Sequence, residues 1–358
     1  MLRLAFITVG NARRHTGGYL YHARVFAGLR SQGFAIDEIS ASAAPLEDQL
    51  AAAAAFGATF DPQRYDAVVI DALARGVCGA WIARWRASCP VVVLVHQLPS
   101  VAEADRGQIE REQALETPLL CADRLIAVSE HGRDLLIARG VPAERIAVVS
   151  PGFDRLPVEP AQEPRQRPPE APLRVLCVAQ WIARKGLTTL LAAWQQLASV
   201  DAVLELIGET DADPAYAAQV EALLAEIPAG RVIVRGPVAD DALHQAYRRA
   251  DLFVLPSRFE GYGMVYAEAL AHGLPIIACN VGPVPTLITP RAGVFVPPDD
   301  SRALAQACDR LLHDPATRAR LASGAMERAA TLPRWADTTG AFAQAIMQAV
   351  SGSDCGSA

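Results

Sequence analysis

Twice along this chain of 358 residues the same alternation recurs: a short apolar run rich in β-branched residues, then a longer stretch with apolar residues at helical spacing. In the first half the runs are LRLAFITV (2–9), YDAVVIDA (65–72), PVVVLVHQ (90–97), DRLIAVS (123–129) and RIAVVS (145–150). Helical patterns fall near 18–32, 44–56, 76–87, 102–118 and 130–139. Continuous apolar strands separated by helices belong to a parallel sheet covered on both faces. The pattern then stops. RLPVEPAQEPRQRPPEAP (155–172) carries six prolines and no apolar period, which predicts an extended surface linker. It restarts with LRVLCVA (173–179), AVLELIG (202–208), RVIVRGP (231–237), DLFVLPS (251–257) and PIIACN (275–280). The expectation is an α/β protein of two doubly wound domains, 1–154 and 173–335, facing each other across a cleft.

In open parallel sheets ligands sit beyond the carboxyl ends of the strands. The polar oddities of the chain fall there: NARRHTGGY (11–19), HQLPS (96–100), QWIARKG (180–186) and SRFEGYGM (257–264). Among them is Lys185, the only lysine in a chain with 33 basic side chains. A compact ammonium after a strand and at the mouth of a helix suits a phosphate oxygen in a tight space; a lysine placed by chance on a surface loop is the plainer alternative. Composition narrows the classes. With 51% hydrophobic and 20% charged residues the chain is globular, and its net charge of −6 argues against nucleic acid as the main partner. Seven cysteines stand singly with no CxxC spacing, as expected of reduced thiols. The opening residues run directly into a strand pattern, and no apolar run approaches the roughly 18 residues needed to span a bilayer. A cytoplasmic protein without a transmembrane segment is expected.

RFEGYGMVYAEALAHGLP (258–275) says most about chemistry. Glu260 is followed by Gly261 and Gly263, which let backbone approach a ligand, and then by a helical pattern carrying Glu268 and ended by Gly273 and Pro275. N–H groups at such a helix mouth are anion donors, and a carboxylate further along can accept two hydroxyl protons. With its neighbours, PSRFEGYGMVYAEALAHGLPIIA resembles the two-glutamate motif of retaining glycosyltransferase family 4, the group 1 glycosyl transferases. The resemblance extends through HTGGY, ADRLIAVSE, ERIAVVSPGFD, RKGLTTLLAAW, LELIGE, VADDALHQAYRRADLFVLPS and the helical region that contains Trp335.

The resemblance implies the GT-B fold, with two Rossmann-like domains: an acceptor-binding domain over 1–154 and a nucleotide-sugar domain over 173–335. A C-terminal helix over 336–358 has room to pack back on the N-terminal domain and ends in a flexible tail. It implies transfer of a sugar from a nucleotide-diphosphate sugar to an acceptor hydroxyl with retention, by front-face attack, with no metal and no other cofactor. UDP-sugar is the first donor expected and GDP-sugar the second; the acceptor is a small molecule, a saccharide or a lipid-linked group. Lys185 would contact the diphosphate, Glu260 the donor-sugar hydroxyls and Glu268 the ribose. The backbone of Tyr262, Gly263 and Met264 would lie near the diphosphate or sugar, and Gly17 and Gly18 would approach the phosphates. His96 stands where the family often has a histidine near the reacting sugar, and a buried strand-end histidine fits that place equally well. Arg13, Arg14 and His15 are candidates for the acceptor side, although residues 1–154 hold 15 arginines against 17 acidic residues and so lack a basic membrane-docking character.

Two departures stand out. Gln180 replaces an arginine usual in the family, which removes a phosphate partner unless Arg184 substitutes for it. Thr286 stands where an acidic residue is common, a shift in donor or acceptor preference. Asp211 and Asp213 form an Asp-x-Asp pair of the kind that holds a divalent cation in the other main glycosyltransferase fold, but a polar turn into a helix explains them better. Alternatives are a catalytically silent nucleotide-sugar-binding protein and an epimerase or phosphorylase of the same architecture. A dinucleotide-dependent dehydrogenase is disfavoured, since the first strand is not followed by GxGxxG.

Overall fold

The structure, a computed structural model, describes residues 1–10, 16–41, 46–102, 108–157, 171–197 and 201–354. The chain divides into two compact units, Met1–Gly152 with Pro333–Ala358, and Phe153–Leu332. Each is built on a six-stranded, all-parallel sheet with helices between its strands.

In the first unit the strands are β1 (Arg3–Val9), β2 (Ala35–Ala41), β3 (Ala67–Asp71), β4 (Val91–Val95), β5 (Arg124–Ala127) and β6 (Ile146–Val148), in the order β2-β1-β3-β4-β5-β6. Every residue of β3 and β4 is buried, which is why their sequences are continuous apolar runs. Each buried valine or leucine there contributes about 1.5–3 kcal/mol of apolar transfer. β2 was not anticipated. It is an edge strand, AIDEISA, whose Asp37 and Glu38 pair with Arg3 and Arg30, and charge on an edge hides the apolar signal. The expected helix over 76–87 is broken into Arg75–Cys78, a 3-10 turn at Gly79–Trp81, and Ile82–Arg86, in a segment weakened by Gly76 and Gly79. The last helix, Trp335–Asp354, packs on the first, Gly17–Ser31. The Tyr21 ring lies 6.0 Å from that of Trp335 and 6.4 Å from that of Phe342, and Thr338 Oγ1 donates to Ser150 O at 2.8 Å.

In the second unit the strands are β7 (Leu173–Val178), β8 (Ala202–Ile207), β9 (Val232–Gly236), β10 (Leu252–Leu255), β11 (Ile276–Cys279) and β12 (Gly293–Val296), ordered β12-β11-β10-β7-β8-β9. β12, a four-residue edge strand, was likewise unforeseen. Strand order reverses between β7 and β10, so the loops after those two strands flank the switch point where α/β sheets bind ligands.

The boundaries differ from those expected. Phe153 and Leu156 insert into the core of the second unit, so the chain enters that unit after Gly152, ahead of the expected break at 154. Arg155 is therefore no linker residue: its side chain is 9% exposed and ion-paired. The return crossing falls after Leu332, which places Trp335 in the first unit. Most of the proline-rich stretch, 158–170, lies outside the described residues.

Candidate active site

The loop after β7 makes a 3-10 turn at Ala183–Lys185 and ends in Gly186, whose φ of 69° is left-handed, before the helix Leu187–Gln195. A Cβ on Gly186 would stand 2.2 Å from Pro256 O, on the segment that follows β10. The two loops are thus in backbone contact, and Arg258 N donates to Arg184 O at 2.7 Å. Trp181, 3% exposed, fixes the first loop by packing into the core of the second unit.

This close approach brings Lys185 and Glu260 together. Lys185 Nζ donates to Glu260 Oε1 at 2.7 Å, Ser257 Oγ donates to the same oxygen at 2.7 Å, and Arg184 Nη1 stands 4.0 Å from Oε2. Burial pushes the Glu260 carboxyl up, but Lys185 and Arg184 outweigh it and hold the group below the usual carboxylate range. Burial presses the Lys185 ammonium down, with Glu260 opposing. The site is a compact positive group held on an ionised carboxylate.

After Glu260 the chain turns through Gly263, with φ 97°, and starts the helix Met264–Ala271 without a side-chain cap. Tyr266 N donates to Gly263 O at 3.0 Å, and the N–H groups of Met264 and Val265, ahead of it, face out of the helix end. Tyr262 beside it is largely covered, and burial pushes its phenol up to about 12. Glu268 lies on this helix, 3% exposed. Arg155 Nε donates to its Oε1 at 2.9 Å and Tyr247 OH to its Oε2 at 3.0 Å. Burial raises the Glu268 carboxyl and prevails over Arg155 and Tyr247. Behind it His272 pairs with His244 at 3.0 Å, and the Tyr247 ring stacks on His272.

Gln180 donates through Nε2 to Glu209 Oε2 and so contributes no positive charge where the family usually has arginine. Arg184, the candidate replacement, lies on the Glu260 side. Asp213 Oδ1 accepts from Tyr216 N at 3.1 Å and caps the helix Pro214–Ala225, a structural use of that carboxylate. Thr286 sits in the short helix Val284–Ile288, and its carbonyl accepts from Arg328.

In the first unit Gly17 and Gly18 open the helix Gly17–Ser31, whose first internal bond is Leu20 N to Thr16 O at 2.9 Å. A Cβ added at Gly18 would meet the His96 ring at 3.6 Å, and His96 Nε2 lies 2.8 Å from His22 Nε2. Arg13, Arg14 and His15 lie outside the described residues. Sequence reasoning passed over Arg155, Tyr247, Ser257 and Glu209 around the second-unit site, and His22 and Asp71 beside His96. The visible signal was thin: an acid ending the VVID strand, and a histidine one turn after a glycine pair.

Comparison with known proteins gives these geometries a family. Residues 9–152 match the glycosyl transferase 4-like domain, and residues 172–314 match the domain described as glycosyl transferases group 1. D-inositol 3-phosphate glycosyltransferase 1 of Catenulispora acidiphila is 33% identical over 297 residues, 75% of this chain and 69% of that protein. The D-inositol 3-phosphate glycosyltransferase of Streptosporangium roseum is 30% identical over 309 residues, 80% and 70% of the two chains. Among solved structures, sucrose-phosphate synthase from Thermosynechococcus elongatus superposes with a TM-score of 0.81 at 24% identity, covering 98% of this chain and all of that one. Anabaena HepE, solved with UDP-glucose, superposes with a TM-score of 0.76 at 19% identity, covering 96% and 99%. Those likenesses show the GT-B fold. Among the described residues no helix is long and apolar enough to cross a membrane. With relatives of this identity and coverage on both halves, the chain belongs to the group 1 glycosyl transferases, glycosyltransferase family 4.

Proposed function

We propose that the protein moves a hexosyl group from a nucleotide-diphosphate sugar to an acceptor hydroxyl, with retention at the anomeric carbon and without a resident metal ion. The observation that carries this reading is the Lys185–Glu260 pair, 2.7 Å apart at the β7/β10 switch point. Cleavage of the sugar–phosphate bond leaves an oxocarbenium-like sugar and added negative charge on the diphosphate. The Lys185 ammonium, the Arg184 guanidinium and the open helix end at Met264 all supply positive potential there, preorganised electrostatics of the kind worth orders of magnitude in rate. Glu260, ionised, is suited to accept hydroxyl protons from the donor sugar, and Glu268 from the ribose. Both carboxylates already accept hydrogen bonds from neighbouring side chains. That favours front-face attack, with the departing phosphate taking the acceptor proton, over a covalent glycosyl-enzyme.

The HepE complexes with UDP and UDP-glucose support a uridine donor as the first to test, with GDP-sugars second. The names of the relatives support a small, hydroxyl-rich phosphate such as an inositol phosphate as acceptor. Among the described residues five buried cysteines, Cys78, Cys89, Cys177, Cys279 and Cys308, form no disulfide, which supports a reducing cytoplasmic setting. The test is thermal stabilisation by UDP-, GDP- and ADP-glucose in excess EDTA, followed by incubation of the stabilising donor with acceptors and NMR of the product anomer. Absence of stabilisation by every nucleotide sugar, or a product of inverted configuration, would sink the reading. The Gln180–Glu209 bond favours one second reading, donor binding without transfer, which predicts stabilisation with no product from any acceptor.

A further inference from the structure

The first unit holds a polar cluster that the donor-side chemistry does not use. β1, β3 and β4 are neighbours, and strand order reverses between β1 and β3, so their carboxyl ends meet at a second switch point. Asp71 ends β3, His96 follows β4, and His22 reaches in from the helix Gly17–Ser31, one turn after Gly18. His22 Nε2 stands 2.8 Å from His96 Nε2 and 3.6 Å from Asp71 Oδ2. Asp71 is fully buried. Its Oδ2 accepts from Thr8 Oγ1 at 3.0 Å and its Oδ1 from Leu73 N at 2.9 Å; burial raises the carboxyl above its ordinary value, with the nearby His96 and these two donors opposing.

A hydrogen bond between two Nε2 atoms needs one of them protonated and the other bare. Two observations decide which. Asp71 Oδ2 stands 3.6 Å from His22 Nε2 and attracts a proton to that atom, while its charge also reaches the His96 ring and opposes the downward push of burial there. His22 Nδ1 is buried and, among the described residues, meets no partner; the rings of Phe6 and Phe26 pack against the imidazole. A stranded N–H costs about 1–3 kcal/mol, so the orphan nitrogen is better left bare and the proton kept where it has acceptors. Burial presses both imidazoles below the ordinary histidine value, which keeps the pair neutral. His22 is then the Nε2–H donor, and His96 accepts on Nε2 and carries its own proton on Nδ1.

We infer that His22 and Asp71 are positioning residues that fix His96 in the Nδ1–H tautomer. His96 then meets its ligand as a hydrogen-bond donor and not as a base. The atom it meets is an acceptor oxygen of a hydroxyl, carboxylate or phosphate. That this ligand is a substrate of sugar transfer rests on the proposed function; the tautomer does not. A metal ion is the competing occupant, because the three ligand atoms lie within 4.8 Å of one another. A metal-bound histidine donates its second ring N–H to a further acceptor, however, and His22 Nδ1 has none among the described residues.

The test is two-bond proton–nitrogen NMR of the full chain labelled with 15N-histidine, with rings assigned through His22→Gln and His96→Gln. The expected result at neutral pH is a protonated Nε2 on His22, and on His96 a bare Nε2 with a protonated Nδ1. A proton on His96 Nε2, or a cationic His96, would overturn the inference whether or not sugar transfer has been shown. One zinc or other first-row metal ion per chain in the purified protein, lost in His22→Gln, would overturn it in favour of a metal site. In folded Asp71→Asn the amide can donate to His22 and reverse the pair, so His96 should shift to the Nε2–H form. Its kcat should then fall on the order of tenfold or more while donor KM stays within about twofold. An unshifted tautomer and unchanged kcat in Asp71→Asn would remove the positioning role.

Discussion

Arg155 donates through Nε to Glu268 Oε1 at 2.9 Å and through Nη1 to Asp240 Oδ1 at 2.8 Å, tying the first residues of the second unit to the carboxylate proposed for ribose. The pair is buried, with side-chain exposures of 9% and 4%. Breaking such a pair leaves a buried charge alone, so Arg155→Met should cost about 3–5 kcal/mol in denaturant unfolding, and Arg155→Lys less.

The same pair sets a pH dependence. Burial already holds the Glu268 carboxyl above its ordinary value, with Arg155 and Tyr247 opposing. A folded-state pKa above the unfolded one means that the folded protein binds the extra proton. The stability contributed by this group is present at low pH and is lost as the pH rises through the folded pKa. Removal of Arg155 raises that pKa further, so in Arg155→Met the loss should reach higher pH. In the proposed ribose role the carboxylate binds donor when ionised, so donor affinity should run the other way: on acidification it should weaken earlier in the variant than in the parent. Calorimetry and denaturant titration between about pH 5 and pH 8 read both trends, and parallel profiles for the two proteins would exclude the coupling.

Lys185→Ala should lower kcat/KM on the order of a hundredfold, the range for one charged contact made in the transition state, and Lys185→Arg should recover only part because the guanidinium is broader than the ammonium held by Glu260. Gln180→Arg is an obvious rescue, yet the side chain at 180 already faces Glu209, which would capture the new charge. Rescue of Lys185→Ala by Gln180→Arg should therefore be small, and larger once Glu209→Gln is added. Steady-state kinetics of the four variants checks the order. Wild-type kinetics in Lys185→Ala would return the lysine to chance.

The internal strands of both sheets could be read from the chain because burial on both faces leaves one signature, an unbroken apolar run; β3 and β4 show it most clearly. β2 and β12 escaped for the converse reason. Each is an edge strand, one carrying charge and one only four residues long. The Lys185–Glu260 pair was partly legible, since each residue lies in a compact glycine-containing motif. Arg155 was not, because the prolines after it gave its segment the character of a linker. The cluster of His22, Asp71 and His96 is assembled by topology from three distant segments; His96 could be picked out in the HQLPS loop after its strand, whereas nothing beside His22 or Asp71 in the chain marks them as its partners.

The Asp-x-Asp pair can be separated from metal chemistry by stability. Asp213 caps the helix Pro214–Ala225 through Tyr216 N, so Asp213→Ala should cost about 1 kcal/mol in unfolding. Transfer should persist in excess EDTA, and Asp211→Asn should leave it unchanged. A strict requirement for Mg²⁺ or Mn²⁺, with transfer lost in Asp211→Asn, would reverse the assignment.

Gly186 carries the contact that brings the loops after β7 and β10 together, and its substitution separates backbone strain from that contact. Its left-handed conformation costs a residue with a Cβ about 1–2 kcal/mol. Gly230 shares the positive φ, at 84°, but has nothing within 4 Å of the added carbon, so Gly230→Ala should show that cost alone. In Gly186→Ala the new methyl meets Pro256 O at 2.2 Å, and the loops must part. The Lys185–Glu260 bond should stretch with them, leaving a buried carboxylate with a weaker partner. Gly186→Ala should therefore lose more stability than Gly230→Ala and weaken donor binding at least tenfold, about 1.4 kcal/mol, whereas Gly230→Ala keeps wild-type affinity. Thermal unfolding and donor titration of the two variants side by side make the comparison. Equal stability losses with donor affinity intact in both would show that the close approach at Pro256 does not hold the site.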